Sequence, residues 1–163
     1  MGGCIISVLV IGGCSSECKE TLAETARAFG ASEIAFTGAE DRHIKYIMAS
    51  LNSKWGGRFA VTFVGNYMHY INSKTPYKKV YLTRYGTPVA KSIYTLKTYK
   101  NLLVIITMKE AHKQVSKIAD FGVSITTQPH SGASALAIFL HMFYEGRELA
   151  LHFENAKYKI AQR

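Results

Sequence analysis

Gln128-Pro129-His130-Ser131 brings together a fixed backbone angle, a side chain that titrates near neutral pH and a hydroxyl suited to capping a helix. An apolar run with Leu136, Ile138, Phe139, Leu140 and Phe143 follows. The four residues therefore read as a turn that opens a helix, with the first amides of that helix free to face a ligand. His130 has two chemistries open to it, general base or a backbone hydrogen bond that shapes the turn. Its place beside Pro129 and before an apolar helix favours shaping. The signatures of other chemistries are missing: there is no Gly-x-Gly-x-x-Gly after the first strand, no Gly-Lys-Ser/Thr phosphate loop, no His-Glu-x-x-His and no Gly-x-Ser-x-Gly. Dehydrogenases, P-loop enzymes and α/β-hydrolases all lose ground. Cys4, Cys14 and Cys18 are odd in number and lack a zinc spacing, so free thiols are expected rather than a disulfide framework or a metal site.

The elements that must hold this turn alternate in type along the chain. Short apolar, β-rich runs at 5–11, 34–36, 59–64, 79–83, 102–107 and 122–125 predict strands. Between and after them, amphipathic stretches at 17–29, 39–54, 66–73, 89–97, 110–118 and 132–145 predict helices. Ser15 or Ser16 caps the first of these, and Gly30 closes it. Tyr85-Gly86-Thr87-Pro88 is expected to be a turn, and residues 157–160 a short extended tail. Six alternations of strand and helix point to an α/β fold with an open, mostly parallel sheet flanked by helices, in one domain over residues 1–163. In such sheets ligands collect beyond the C-terminal ends of the strands, near a reversal of strand order. Three turns lie there: 84–88, 107–111 and 126–132.

Bulk composition agrees with a globular protein that meets polyanions. The 163 residues are 48% hydrophobic and 19% charged, and 20 Lys and Arg against 11 Asp and Glu give a formal net charge of +9. A positive field of that size favours nucleic acid as a partner, although charge by itself is equally compatible with a generic basic surface. The apolar run at 4–11 is too short to span a bilayer, and no other segment reaches that length. A soluble, cytoplasmic protein with no membrane partner is expected.

Three segments together resemble a known family. They are Thr25-Ala26-Arg27-Ala28-Phe29-Gly30-Ala31, then Tyr81-Leu82-Thr83-Arg84-Tyr85-Gly86, then Gln128-Pro129-His130-Ser131 with Ala135-Leu136-Ala137. Lys54-Trp55-Gly56-Gly57-Arg58-Phe59 and Glu145-Gly146-Arg147-Glu148-Leu149 fit the same pattern. In order and spacing they resemble the archaeal tRNA cytidine 2′-O-methyltransferases of the SPOUT superfamily, from about residue 22 to 160. The resemblance implies an α/β SPOUT fold with a C-terminal trefoil knot, which physical priors would never suggest. It further implies S-adenosyl-L-methionine as methyl donor, a homodimer with the site near its interface, and the ribose of a T-loop cytidine, position 56 of tRNA, as target.

The same resemblance distributes the roles. Arg27 becomes the catalytic residue; a guanidinium stays protonated, so its roles are to grip the target phosphate and hold the ribose hydroxyl. The bland reading of Arg27 is a surface residue paired with Glu24 or Glu20. Leu82, with Tyr85 and Gly86, belongs to the first cofactor loop, and Tyr85 packs on cofactor or RNA. Thr107, Met108, Lys109, Glu110 and Ala111 form the second loop. Ile125, Thr126, Thr127, Gln128, Pro129, His130 and Ser131 form the third. Several positions depart from the family pattern. Thr107 to His112 replaces Gly-Ala-Glu-Lys-Val-Pro, Thr127 replaces Asn, and Gly132 replaces Glu. Two further readings therefore stand beside the active tRNA enzyme: a silent SPOUT paralogue acting as a dimeric RNA-binding protein, and a SPOUT enzyme with a different RNA target.

Overall fold

A computed structural model describes residues 4–108 and 113–161. The first apolar run of the chain, broken only by Ser7, is β1 (Ile5–Ile11), buried along nearly its whole length. Continuous apolar strands belong in parallel sheets covered on both faces, and the sheet here is of that kind. Its other strands are β2 (Glu33–Thr37), β3 (Ala60–Val64), β4 (Lys78–Pro88), β5 (Asn101–Thr107) and β6 (Phe121–Ser124). All recorded pairings are parallel, in the order β3-β2-β1-β5-β4-β6. The chain order reverses between β1 and β5.

The helices are α1 (Ser16–Ala28), α2 (Arg42–Trp55), α3 (Tyr67–Ser73), α4 (Val89–Leu96), α5 (Lys113–Ile118) and α6 (Gly132–Tyr144), followed by a 3-10 turn at Arg147–Ala150. Side chains alternate across a strand, so β1 feeds two cores. Ile6, Val8 and Val10 join Leu22 and Ala26 of α1, Ile44 and Met48 of α2, Ile93 of α4 and Leu136 and Phe139 of α6. On the opposite face Leu9 and Ile11 meet Ile71 of α3 and Val115 of α5. The longer helices cover the first face and the shortest two cover the second.

Local chemistry sets the helix ends. Ser15 caps α1 by accepting from the Cys18 amide at 3.2 Å, and Asp41 caps α2, which therefore starts later than the predicted residue 39. Ser131 caps α6, accepting from the Ser134 amide at 3.1 Å. α6 ends on Glu145 and Gly146, both left-handed.

One expectation needs correction. Residues 85–88 are not a turn but the second half of β4. The strand pairs with β6 at Val80, Tyr81 and Leu82, interrupts its register, and resumes with Thr87 opposite Val123 and Pro88 opposite Ser124. Pro88 is tolerated because it stands at the strand's last position, where a missing N–H costs little. Residues 157–160 lie in a tail outside helix and strand, where the Lys157 and Tyr158 amides donate to the Lys54 carbonyl at 2.9 and 3.0 Å.

Candidate active site

Beyond the C-terminal ends of β4, β5 and β6 lies a cleft of about 470 Å³, a volume usual for small-molecule sites. β4 contributes Tyr81, Leu82, Thr83, Arg84 and Tyr85; β5 and its end contribute Ile106, Thr107 and Met108. The loop after β6 and the start of α6 supply Ile125, Pro129, His130, Ser131, Gly132 and Ala135. Three segments far apart in sequence thus converge, the interrupted middle of β4 and the ends of β5 and β6, because the three parallel strands are neighbours in the sheet.

The loop entering α6 is built by its own side chains. The Thr126 hydroxyl accepts from the Gln128 amide at 3.2 Å, and His130 Nδ1 lies 2.7 Å from the Gln128 carbonyl oxygen. A carbonyl can only accept, so Nδ1 is the donor there. His130 braces the turn through that bond. The hydroxyls of Ser131 and Ser134 lie 2.8 Å apart, closing the cap. Across the cleft, Tyr81 Oη and Thr107 Oγ1 are 3.0 Å apart, tying β4 to β5. Met108 is placed by its amide, which donates to the Ile11 carbonyl at 2.9 Å.

Close packing sets the cleft's walls at two glycines. A Cβ on Gly86 would lie 2.5 Å from the Gly122 carbonyl carbon and the Val123 nitrogen, so β4 passes β6 at backbone contact. A Cβ on Gly132 would lie 2.9 Å from Ile106 Cγ2, so the first turn of α6 sits directly on the end of β5.

Of the residues the sequence assigned to the cofactor, Leu82, Tyr85, Thr107, Met108, Ile125, Pro129, His130 and Ser131 line this cleft. Gly86, Thr126, Thr127 and Gln128 lie outside its lining: Gly86 supports the strand crossing, and Thr126 and Gln128 shape the loop. Lys109, Glu110 and Ala111 fall outside the described residues. Sequence reasoning missed Tyr81, Thr83, Arg84, Ile106, Gly132 and Ala135. Thr83 and Arg84 lay inside the quoted Tyr81 to Gly86 segment, so the signal was present; Ile106 and Ala135 read only as core.

Arg27 does not line the cleft. It stands in the last turn of α1, at the edge where the strands begin, and is 8% exposed. Its Nε donates to Asn52 Oδ1 at 3.2 Å and its Nη2 to the Gly56 carbonyl at 2.6 Å. The Phe153 ring centre lies 4.6 Å from its guanidinium carbon. Burial lowers its pKa, yet a guanidinium starts so high that it remains charged. The Glu24 or Glu20 pairing expected of a surface arginine is replaced by these partners. The cysteines are free and half-buried, and burial pushes the Cys4 thiol up to about 11 and the Cys14 thiol to about 12. Such thiols are poor nucleophiles at neutral pH. Among the described residues no cluster of three His, Cys, Asp or Glu side chains could hold a metal.

Could a nucleoside-bearing methyl donor fit? The cleft offers flat apolar walls in Leu82, Ile106, Met108, Ile125 and Pro129, and polar groups in Thr83, Thr107, His130 and Ser131. That mixture suits a purine and a ribose.

Comparison with known proteins gives a consistent result. A tRNA cytidine-56 2′-O-methyltransferase of Methanobrevibacter smithii is 37% identical over 139 residues, which span 83% of this chain and 77% of that protein. The corresponding enzyme of Methanocaldococcus jannaschii is 38% identical over 146 residues, 85% of this chain and 79% of that protein. Among solved structures, the SpoU methyltransferase AviRb from Streptomyces viridochromogenes, crystallised with AdoMet, superposes with a TM-score of 0.68 at 18% identity. That alignment covers 90% of this chain and 59% of AviRb and speaks for the fold alone. Residues 55–163 match the family model described as tRNA ribose 2′-O-methyltransferase, aTrm56. With the α/β SPOUT fold, the convergent loops and relatives this similar over most of their length, the chain belongs to the aTrm56 family of tRNA ribose 2′-O-methyltransferases.

Proposed function

We propose that this protein methylates the ribose 2′-hydroxyl of a tRNA cytidine, position 56 in the T-loop, using S-adenosyl-L-methionine. The observation that carries the reading is the convergence of the middle of β4 with the ends of β5 and β6 into one cleft, lined by eight of the residues that the family resemblance marks for the donor. The donor would supply a methyl group already activated on a sulfonium. Leu82, Ile125 and Pro129 would hold its base, and Thr107, His130 and Ser131 its polar groups. The protein's part is largely positioning: an in-line displacement gains most from holding the two reacting groups in register.

Arg27 is assigned the phosphate and hydroxyl of the target RNA. In a single chain it stands at the opposite edge of the sheet from the cleft, since α1 runs antiparallel to the strands that end there. Bringing the two together takes a second copy, which supports a homodimer whose partner presents Arg27 to the cleft. The backbone contact of Gly86 with Gly122 supports reading the β4–β6 region as the threaded part of a trefoil knot. The net charge of +9 suits a tRNA substrate, and the cytoplasm is the compartment where that substrate is met.

The deciding experiment incubates unmodified tRNA with labelled donor and maps the product. Methylation of the T-loop cytidine ribose is the expected result. No donor binding by calorimetry at high protein concentration would sink the enzyme reading and leave a silent RNA-binding protein, and label elsewhere on the RNA would mean a different target. Sedimentation should report a dimer.

A further inference from the structure

Gly56 and Gly57 follow α2 directly, with φ of +77 and +83°. Neither has room for a side chain. A Cβ on Gly56 would overlap the Glu154 carbonyl and lie 2.8 Å from the Ala156 nitrogen; one on Gly57 would lie 2.8 Å from Cδ1 of the Phe153 ring. The pair thus forms a shallow bed for a strap, residues 151–158, that leaves the 3-10 turn.

Backbone bonds tie the strap to that bed. The Gly57 amide donates to the Glu154 carbonyl at 3.1 Å, and the Lys157 and Tyr158 amides share the Lys54 carbonyl. Trp55 and Tyr158 pack with ring centres 5.7 Å apart. The strap's origin is fastened to α6 as well. Glu148 is buried with Oε1 2.6 Å from His141 Nδ1, and Arg147 Nε donates to the Tyr144 carbonyl at 2.9 Å.

What this strap delivers is Phe153, a half-buried ring that belongs to neither core and lies over the Arg27 guanidinium. Asn52 and Gly56 hold the guanidinium from its edges, and Asn52 is itself fixed by donating through Nδ2 to the Phe59 carbonyl at 2.8 Å. A guanidinium carries five N–H donors. Among the described residues Asn52 and Gly56 engage one on Nε and one on Nη2, which leaves the rest for a ligand.

We propose that residues 151–158 are a clamp that orients Arg27 and that Phe153 is its positioning residue. The proposal rests on the reading of Arg27 as the group that grips the target RNA. A guanidinium stacked on a ring is less hydrated and less free to rotate, so its fork meets a phosphate without first being ordered.

The test uses the full chain with Phe153→Leu, which keeps apolar bulk, and Phe153→Tyr, which keeps the ring. Single-turnover methyl transfer to unmodified tRNA, donor affinity and the Arg27 side-chain Nε–H resonance are measured on each. Phe153→Leu should slow transfer about tenfold with donor affinity unchanged, while Phe153→Tyr transfers at the parental rate. The resonance should lie upfield in the parent and in Phe153→Tyr and lose that shift in Phe153→Leu. Parental turnover in Phe153→Leu overturns the positioning role whatever the resonance does, and so does a Phe153→Tyr as slow as Phe153→Leu. If the parent transfers no methyl group, the functional reading falls by itself. The clamp is then decided by the resonance: the position of a free arginine in the parent refutes it.

Discussion

Arg27 and His130 are each held by backbone carbonyls. The imidazole gives its Nδ1 hydrogen to the Gln128 carbonyl. The guanidinium donates to Asn52 and to the Gly56 carbonyl, and under the proposed function its other N–H groups would meet a phosphate. Arg27→Lys preserves the charge but loses the planar fork. It should cut methyl transfer at least about a hundredfold with donor affinity unchanged, as read by paired kinetics and calorimetry. Unchanged turnover would remove Arg27 from the chemistry. His130→Gln, in contrast, should weaken donor binding more than it slows the bound complex, because the loop rather than a proton is lost.

At the scale of elements, the site depends on how closely β4 can pass β6. Gly86 and Gly122 face each other there but are not equivalent. A Cβ on Gly86 would strike backbone at 2.5 Å, whereas one on Gly122 would meet its neighbours at 3.8 Å, an ordinary contact. Gly86→Ala should therefore cost about 2 kcal/mol or more and weaken donor binding by parting the two strands. Gly122→Ala should cost less than about 1 kcal/mol. Urea denaturation of the two variants side by side checks this, and equal losses would contradict the crossing geometry. The same reasoning explains Gly132, where the family pattern has glutamate. With Ile106 Cγ2 2.9 Å from a Cβ there, the end of β5 would have to give way before a longer side chain could be restored.

Across the whole molecule two electrostatic effects separate. The first is internal: Glu33 holds the β2 start to α3, receiving the Ser7 hydroxyl at 2.7 Å and the Lys74 ammonium. Burial pushes its pKa up, but the bonds from Lys74 and Ser7 outweigh that and leave it below the ordinary value. A carboxyl with a depressed folded-state pKa contributes stability above its unfolded pKa, and that contribution vanishes as pH falls through the folded value. Glu33→Gln should thus cost about 1 kcal/mol at pH 7, and its difference from the parent should shrink as pH falls through the depressed folded-state value. Urea titrations across the acid range test it. The second effect is external. A net charge of +9 draws the tRNA backbone, so tRNA affinity should fall log-linearly with salt, while donor affinity, set inside the cleft, should hardly change. A salt-independent tRNA affinity would argue against an electrostatic footprint.

Residues 5–11 and 102–107 were legible as buried strands because short, mostly apolar and β-branched runs of that length have few other uses, and Ser15 and Ser131 as caps because their hydroxyls are followed by helical periodicity. The sequence by itself therefore determined the alternation of strand and helix, the parallel sheet, the basic character and, through its motifs, the family. It also marked the turns that carry most of the cleft. It could not show that 85–88 continues a strand, because that depends on β6 supplying a second stretch of ladder. Nor could it show that Gly86 serves a strand crossing rather than the cleft lining, or that Arg27 is held by Asn52, Gly56 and Phe153 rather than by a glutamate one turn away. Residues 27 and 153 are far apart along the chain, and no local periodicity links them. Only the tertiary fold, by laying the strap on a bed of two glycines, brings the ring to the guanidinium.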